Sequence, residues 1–279
     1  MYARVVVLTG LALAAFAGNS LLCRAALSRT GIDAASFTTV RLVSGALMLW
    51  LLASLRRSGK AGRGSWLSAL ALFAYAAGFS FAYLRLPAGA GALILFGAVQ
   101  ATMIAWGLHK GERLRPVQLA GLLLACAGLA GLLLPGLAAP PLGSSLLMLG
   151  AGMAWGVYSV RGKGAGDPLE VTSGNFLRAA PIAIALSLLL WRETIPDPMG
   201  IWYAVLSGAL TSGLGYAIWY TALPALASTT AAAVQLSVPV LAALGGVAFL
   251  GEAVSLRLVV ASIAIIGGIA LVILKPGKG

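Results

Sequence analysis

Residues 24–41 read RAALSRTGIDAASFTTVR, and residues 161–178, an offset of 137, read RGKGAGDPLEVTSGNFLR. At that one offset Arg24 meets Arg161, Asp33 meets Glu170 and Arg41 meets Arg178. Tyr83 then meets Tyr220 and Pro87 meets Pro224, and after a three-residue shift Gly111-Glu112 meets Gly251-Glu252. In a chain rich in Ala, Leu and Gly, apolar matches arise at any offset, so only the rarer residues count. Two Arg pairs joined by an acid, a Tyr and a Pro at one shift mark two related halves, 1–136 and 137–279.

Composition says what each half is built from. The 279 residues are 60% hydrophobic and 9% charged, against roughly 25% charged in a soluble domain. Such a chain cannot present a wettable surface over a packed core, so it is read as an integral membrane protein. Apolar runs bounded by Gly, Pro or charge give spans 5–27, 36–55, 66–84, 89–108, 117–134, 142–161, 171–191, 200–222, 226–250 and 256–274. Ten helices of about 20 residues leave only short connections and no room for a soluble domain. Spans 66–84 and 89–108 lie close enough for a nine-helix alternative, although Arg85 and Pro87 argue for a turn between them. The alternating ten-residue pattern of a β-barrel is absent. The first run begins after Arg4 as a signal peptide would, but it continues through Asn19 to Leu27 and has a partner in the second half. It is read as a retained helix. The expected fold is an all-α polytopic membrane protein.

Five helices per half is an odd number, so the second half enters the membrane from the opposite side and the repeats are inverted. The charges agree with that arrangement. Twelve Lys/Arg fall at one set of ends and loops: Arg4, Arg56, Arg57, Lys60, Arg63, Lys110, Arg113, Arg115, Arg161, Lys163, Lys275 and Lys278. Five fall on the other: Arg24, Arg29, Arg85, Arg192 and Arg257. Loops this short make the imbalance a positive-inside signal, predicting both termini in the cytoplasm. The net charge of +12 is therefore a mark of orientation and not a nucleic-acid patch.

These residues resemble a known family. The basic residue ending the first helix of each half (Arg24, Arg161), the Arg early in the second (Arg41, Arg178), Tyr-x-x-Leu at 83–86 and 220–223, and the two Gly-Glu pairs look like the drug/metabolite transporter superfamily, EamA type. The second half is the closer match, with Pro239 thirteen residues before Glu252; the first half has Thr102 where that Pro often stands, and a following segment three residues shorter. The resemblance covers essentially the whole chain. It implies ten helices around a central cavity and transport of small metabolites across the bacterial inner membrane. Tyr75 and Trp155 resemble cavity-facing aromatics of amino-acid exporters, including the aromatic amino-acid branch.

The embedded polar residues narrow the chemistry. Asp33, Glu112, Asp167, Glu170, Glu193, Asp197 and Glu252 all fall in loops or at helix ends, so no carboxylate stands at mid-membrane to exchange protons for a cationic drug. His109 lies at a helix end. Facilitated diffusion is the simpler reading. Arg41 and Arg178 lie about 9–12 Å into their helices at 1.5 Å per residue; each is read first as structural, with a substrate carboxylate as the alternative. Glu112 and Glu252 are read as ties at helix ends. Uncharged candidates for substrate binding are Asn19, Tyr75, Phe79, Tyr83, Gln100, Trp155, Tyr158, Tyr216, Trp219, Tyr220 and Gln235, because amides and hydroxyls are costly to face toward lipid. For Gln100 and Gln235, interhelical hydrogen bonding is the competing role. Tyr2, Trp66 and Trp202 read as interfacial belt residues, Pro181 and Pro239 as helix kinks, and Gly152-x-x-x-Gly156 as a close helix contact. Cys23 and Cys126 share no metal-ligand spacing, and no cofactor or metal is expected.

The expected function is export of aromatic or other neutral amino acids, or related metabolites, by alternating access. The expected partners are an amino-acid-like solute and the lipid bilayer, with no nucleic acid, and the carrier works as a monomer. Export of nucleosides, quaternary amines or drug-like compounds is the alternative. A channel needs rings of pore-lining groups from several subunits, and an intramembrane protease needs paired aspartates or an embedded histidine with its serine; neither pattern is present.

Overall fold

A computed structural model describes residues 2–56, 64–111, 114–134, 139–162, 165–191, 197–226 and 234–273. Among them are ten helices and no strand: α1 (Tyr2–Arg29), α2 (Ala34–Leu55), α3 (Trp66–Tyr83), α4 (Ala88–His109), α5 (Pro116–Leu133), α6 (Leu142–Gly162), α7 (Pro168–Leu189), α8 (Pro198–Ala222), α9 (Ser237–Leu250) and α10 (Leu256–Ile273). Eight are long and apolar enough to cross a membrane; α6, with 21 residues, and α9, with 14, complete the set. The chain is an all-helical polytopic membrane protein. The close pair of spans resolves into α3 and α4, joined through Pro87.

The scarce acids begin the helices. Asp33 accepts from Ser36 N (2.8 Å) at the start of α2, Asp167 from Leu169 N (2.9 Å) and Glu170 N (3.1 Å) at α7, and Asp197 from Gly200 N (2.9 Å) at α8. Each satisfies N–H groups that a helix start leaves without partners. The cap of α7 is thus Asp167, three residues before Glu170. Counted from the caps, the position of Arg41 in α2 is occupied in α7 by Asn175 and not by Arg178.

Two expectations need correction. The span 226–250 is not one helix from end to end: the described α9 begins at Ser237, and residues 227–233 lie outside the described set. Pro239 consequently sits in the first turn of α9, where its missing N–H costs nothing, and of the two prolines Pro181 alone is interior to its helix. The second departure is in α8, where residues 206–214 widen into π-helix. This is where α8 crosses α2. A Cβ on Gly208 would collide with the Arg41 carbonyl and the Ser44 hydroxyl, so the contact admits only glycine.

The exterior is apolar, as lipid requires, with Leu47, Leu123 and Ile263 all exposed. Trp66 and Trp202 are exposed at helix starts, where belt residues stand. Polar groups turn inward: Asn19, Thr38, Arg41, Ser80, Gln100, Asn175 and Ser212 are all buried. Gly152 and Gly156 let α6 press on α4, since a Cβ on either would meet Leu95 and Ala98 or Thr102 within 2.9 Å.

One cluster ties four elements together. Gly251, in the left-handed region at φ 66°, ends α9 and turns Glu252 back. Glu252 Oε2 accepts from Ala88 N (2.7 Å) and so caps α4, whose own cap position holds Pro87 with no side-chain hydrogen bond. Its Oε1 pairs with Arg24 Nε at 3.0 Å. Arg24 Nη1 also donates to the carbonyls of Tyr83 (3.0 Å) and Leu84 (3.1 Å) at the end of α3. The reading of Glu252 as a tie between helix ends holds. Arg161 donates to Ser68 Oγ (3.2 Å), and Glu112 lies outside the described residues.

Arg24→Gln and Glu252→Gln are each expected to cost about 2 kcal/mol of stability, because each leaves a half-buried charge unpaired. The double variant should cost less than the sum, read from unfolding in detergent; additive losses would show no coupling. Asp197 gives a pH-dependent counterpart. The N–H groups of Gly200 and Gly31 (3.0 Å) hold its carboxyl below the usual carboxylate range. A depressed folded-state value makes its contribution present above about pH 4 and lost as pH falls below that. Asp197→Ala should therefore lower the melting temperature at neutral pH, with the gap to wild type closing in strong acid.

Candidate functional site

The mid-span aromatic and amide side chains meet in one cavity of about 430 Å³. Asn19 of α1, Tyr75 and Phe79 of α3, Gln100 of α4, Trp155 of α6, Tyr216, Trp219 and Tyr220 of α8, and Gln235 before α9 all line it. Gly162, Gly166, Leu223 and Leu226 also line it, which puts its mouth beside the α6–α7 connection and the end of α8. At the other end α1 contributes Ser20 to the wall, and one turn further on Arg24 makes its pair with Glu252. The cavity therefore runs from the α6–α7 connection and the end of α8 toward the Arg24–Glu252 pair.

Trp155 is the hub of the aromatic wall. Its ring centre is 4.8 Å from that of Tyr75, 5.0 Å from Tyr216 and 5.2 Å from Tyr158. Phe79 lies 5.4 Å from Tyr75, and Phe16 of α1 lies 5.9 Å from Tyr216 and 5.8 Å from Trp219. Trp155 and Tyr158 are stacked, with 27° between their planes, and the other contacts are tilted or edge-on, as aromatic quadrupoles favour. They leave an apolar slot with ring faces on several sides, suited to a flat or short apolar group.

The deep end is polar. Asn19 Nδ2 donates to the Tyr75 hydroxyl (3.2 Å), while its Oδ1 accepts from Ser207 Oγ (2.7 Å) and Thr211 Oγ1 (3.4 Å). Arg41 stands behind this wall, donating from Nη2 to the Tyr75 hydroxyl (3.0 Å) and from Nε to Ser212 Oγ (3.3 Å). Ser207, Thr211 and Ser212 all come from the π-helical stretch of α8, whose wider turn brings three hydroxyls to α1 and α2. Nearer the mouth, the Gln100 side chain is buried in the wall, and its Nε2 has no hydrogen-bond partner among the described residues.

Tyr83, Tyr158 and Arg178 do not line the cavity. Tyr83 donates to the Ala88 carbonyl (3.2 Å), and the Tyr158 hydroxyl accepts from Asn175 Nδ2 (3.4 Å), so both are satisfied within the helix packing. Arg178 donates to the Gly174 carbonyl of its own helix (2.8 Å). Residues that the sequence did not single out also contribute: Phe16, Ser20, Phe96, Met103, Ser159 and Thr211. The legible signal for the last was the small polar run Ser207, Gly208, Thr211, Ser212, Gly213 at mid-helix, where lipid-facing positions would be apolar. Among the described residues no cluster of three His, Cys, Asp or Glu could hold a metal ion.

Comparison with known proteins places this architecture. The model of the EamA-like transporter family matches residues 142–274. The uncharacterised protein PA1977 of Pseudomonas aeruginosa is 58% identical over 277 residues, covering 99% of this chain and 96% of its own. The threonine/homoserine exporter RhtA of Escherichia coli (strain K12) is 34% identical over 154 residues, and that of Salmonella typhimurium (strain LT2) 37% over 147; each match covers 50% of this chain and 48% of the exporter. A solved crystal structure at 21% identity superposes over 98% of both chains with a TM-score of 0.70, which shows a shared fold. The helical membrane fold and the family match lead to one conclusion: residues 142–274, the second half of the chain, form an EamA-like transporter domain.

Proposed function

We propose that this transporter exports neutral amino acids, or closely related zwitterions, across the bacterial inner membrane by alternating access. The observation that carries the reading is the cavity wall. It offers aromatic faces to a substrate side chain and the amides of Asn19, Gln100 and Gln235 to its polar end, and none of the described residues lining it is ionised at neutral pH. The partial likeness to the threonine/homoserine exporters supports the amino-acid class. With no Asp, Glu or His among the described lining residues, the wall offers no proton carrier, which supports facilitated diffusion down the substrate gradient.

Alternating access rests on residues 1–136 and 137–279 being inverted repeats. In the fold α1 touches α8 and α9, α2 touches α7 and α8, α3 touches α6 and α7, α4 touches α6 and α9, and α5 touches α10. Exchanging each helix for the one five places along returns all of these neighbours, while smaller contacts, such as that of α4 with α10, are not all matched. A twofold axis in the membrane plane produces such a set and makes two conformations, open to opposite faces, comparable in energy. With both termini cytoplasmic, as the Lys/Arg distribution predicts, the mouth beside Gly162 and Leu223 faces the cytoplasm and the Arg24–Glu252 pair closes the outer side. The carrier is complete in one chain, with the lipid bilayer as its surroundings.

Counterflow in proteoliposomes tests the reading. Unlabelled amino acids, nucleosides and quaternary amines are set against one labelled neutral amino acid. Neutral amino acids are expected to compete, the others are not, and an imposed pH gradient is expected to leave the flux unchanged. Competition from nucleosides or amines alone moves the substrate to another class. Trp155→Ala should alter the order of preference or the rate while the protein stays folded, and an unchanged transport profile removes Trp155 from the site.

A further inference from the structure

Arg41 is only 1% exposed and lies one side chain behind the cavity. A positive charge within a membrane helix costs several kcal/mol, and a carboxylate ordinarily offsets it. No carboxylate of the described residues does. Among the described residues its partners are the neutral hydroxyls of Tyr75 and Ser212 and the faces of Phe79 and Tyr75, 4.9 and 5.2 Å from the guanidinium carbon; Nη1 has no hydrogen-bond partner. The packing of two related halves does not by itself demand the charge, since the matching position of α7, counted from its cap, is the neutral Asn175.

The charge reaches the cavity by hydrogen bond through Tyr75, with the Phe79 face and the Tyr216 hydroxyl beside it. Tyr75 lines the wall and accepts hydrogen bonds from both Arg41 and Asn19. Two accepted bonds strengthen its own hydrogen as a donor, and that hydrogen can turn to the neighbouring Tyr216 hydroxyl or to a solute in the cavity. In a low-dielectric wall a formal charge this close acts with little screening. We infer that Arg41 is a positioning residue that, through Tyr75, makes the deep end of the cavity select a carboxylate, so that zwitterionic or anionic solutes enter carboxylate first and cations are turned away. This deepens the exporter reading and rests on it only for the solute being an amino acid.

The test measures inhibition of flux in proteoliposomes by matched pairs: a neutral amino acid against its methyl ester, and a short hydroxy acid against the amine of the same size. Wild type is expected to favour the carboxylate member of each pair. Arg41→Gln should reduce that preference by roughly tenfold or more, Arg41→Lys should keep most of it, and Tyr75→Phe, which retains the ring, should reproduce the loss. Melting of each variant in detergent separates selectivity from misfolding, and Tyr75→Phe carries the test if Arg41→Gln does not fold. Preference for amino acids that is unchanged in Arg41→Gln or Tyr75→Phe overturns the role of Arg41 and leaves the exporter reading standing. Preference for hydroxy acids with no uptake of amino acids does the reverse. Preference for the ester or amine, or no flux from folded wild type, overturns both.

Discussion

Hydrocarbon offers a polar group no partner, and the whole arrangement of this chain answers to that constraint. A soluble protein buries its apolar side chains and leaves its polar ones to water. Here the outer face is Leu, Ile and Val, while Asn, Gln, Ser, Thr and Arg are held inside, where each must be matched by a neighbour or by a ligand. Most are matched by neighbours: Asn19 alone engages Tyr75, Ser207 and Thr211. Gln100 Nε2 and Arg41 Nη1 are the exceptions that concern the cavity, one in its wall and one just behind it. The same constraint accounts for Asp33, Asp167 and Asp197, which stand at helix starts where the backbone itself supplies the N–H groups they need.

That constraint also explains what could be read from the sequence. Helix number and position were legible because crossing hydrocarbon takes a run of about twenty apolar residues, and the cavity was legible in outline because Asn19, Gln100 and the mid-span aromatics are poor company for lipid. Residue type alone does not say which wall a polar side chain faces. Tyr83 and Tyr158 are as polar as Tyr75, yet each finds its partner behind the lining, in the Ala88 carbonyl or in Asn175. Phe16, Phe96 and Met103 suit lipid and cavity equally, so nothing local distinguishes them.

The π-helical stretch of α8 was hidden for a different reason. Its wider turn is a product of tertiary packing, set by the approach of Gly208 to the backbone of α2 and by hydroxyls that bond across to α1 and α2. No residue in it forbids an ordinary helix. The register between α2 and α7 was misjudged by three residues, because Asp167 sets the start of α7 by hydrogen-bond supply and not by hydropathy, and α9 begins eleven residues after the start of its apolar span.

The cap that Glu252 places on α4 comes from 164 positions away in the chain. An ordinary cap travels with its helix; this one stays with the end of α9. Any motion that parts α9 from α4 on that side must therefore bare the first N–H of α4 as well as break the ion pair with Arg24. The amide hydrogen of Ala88 becomes a natural indicator of whether that face is closed: sheltered from exchange with solvent while the carboxylate is seated, and released to it when that side opens.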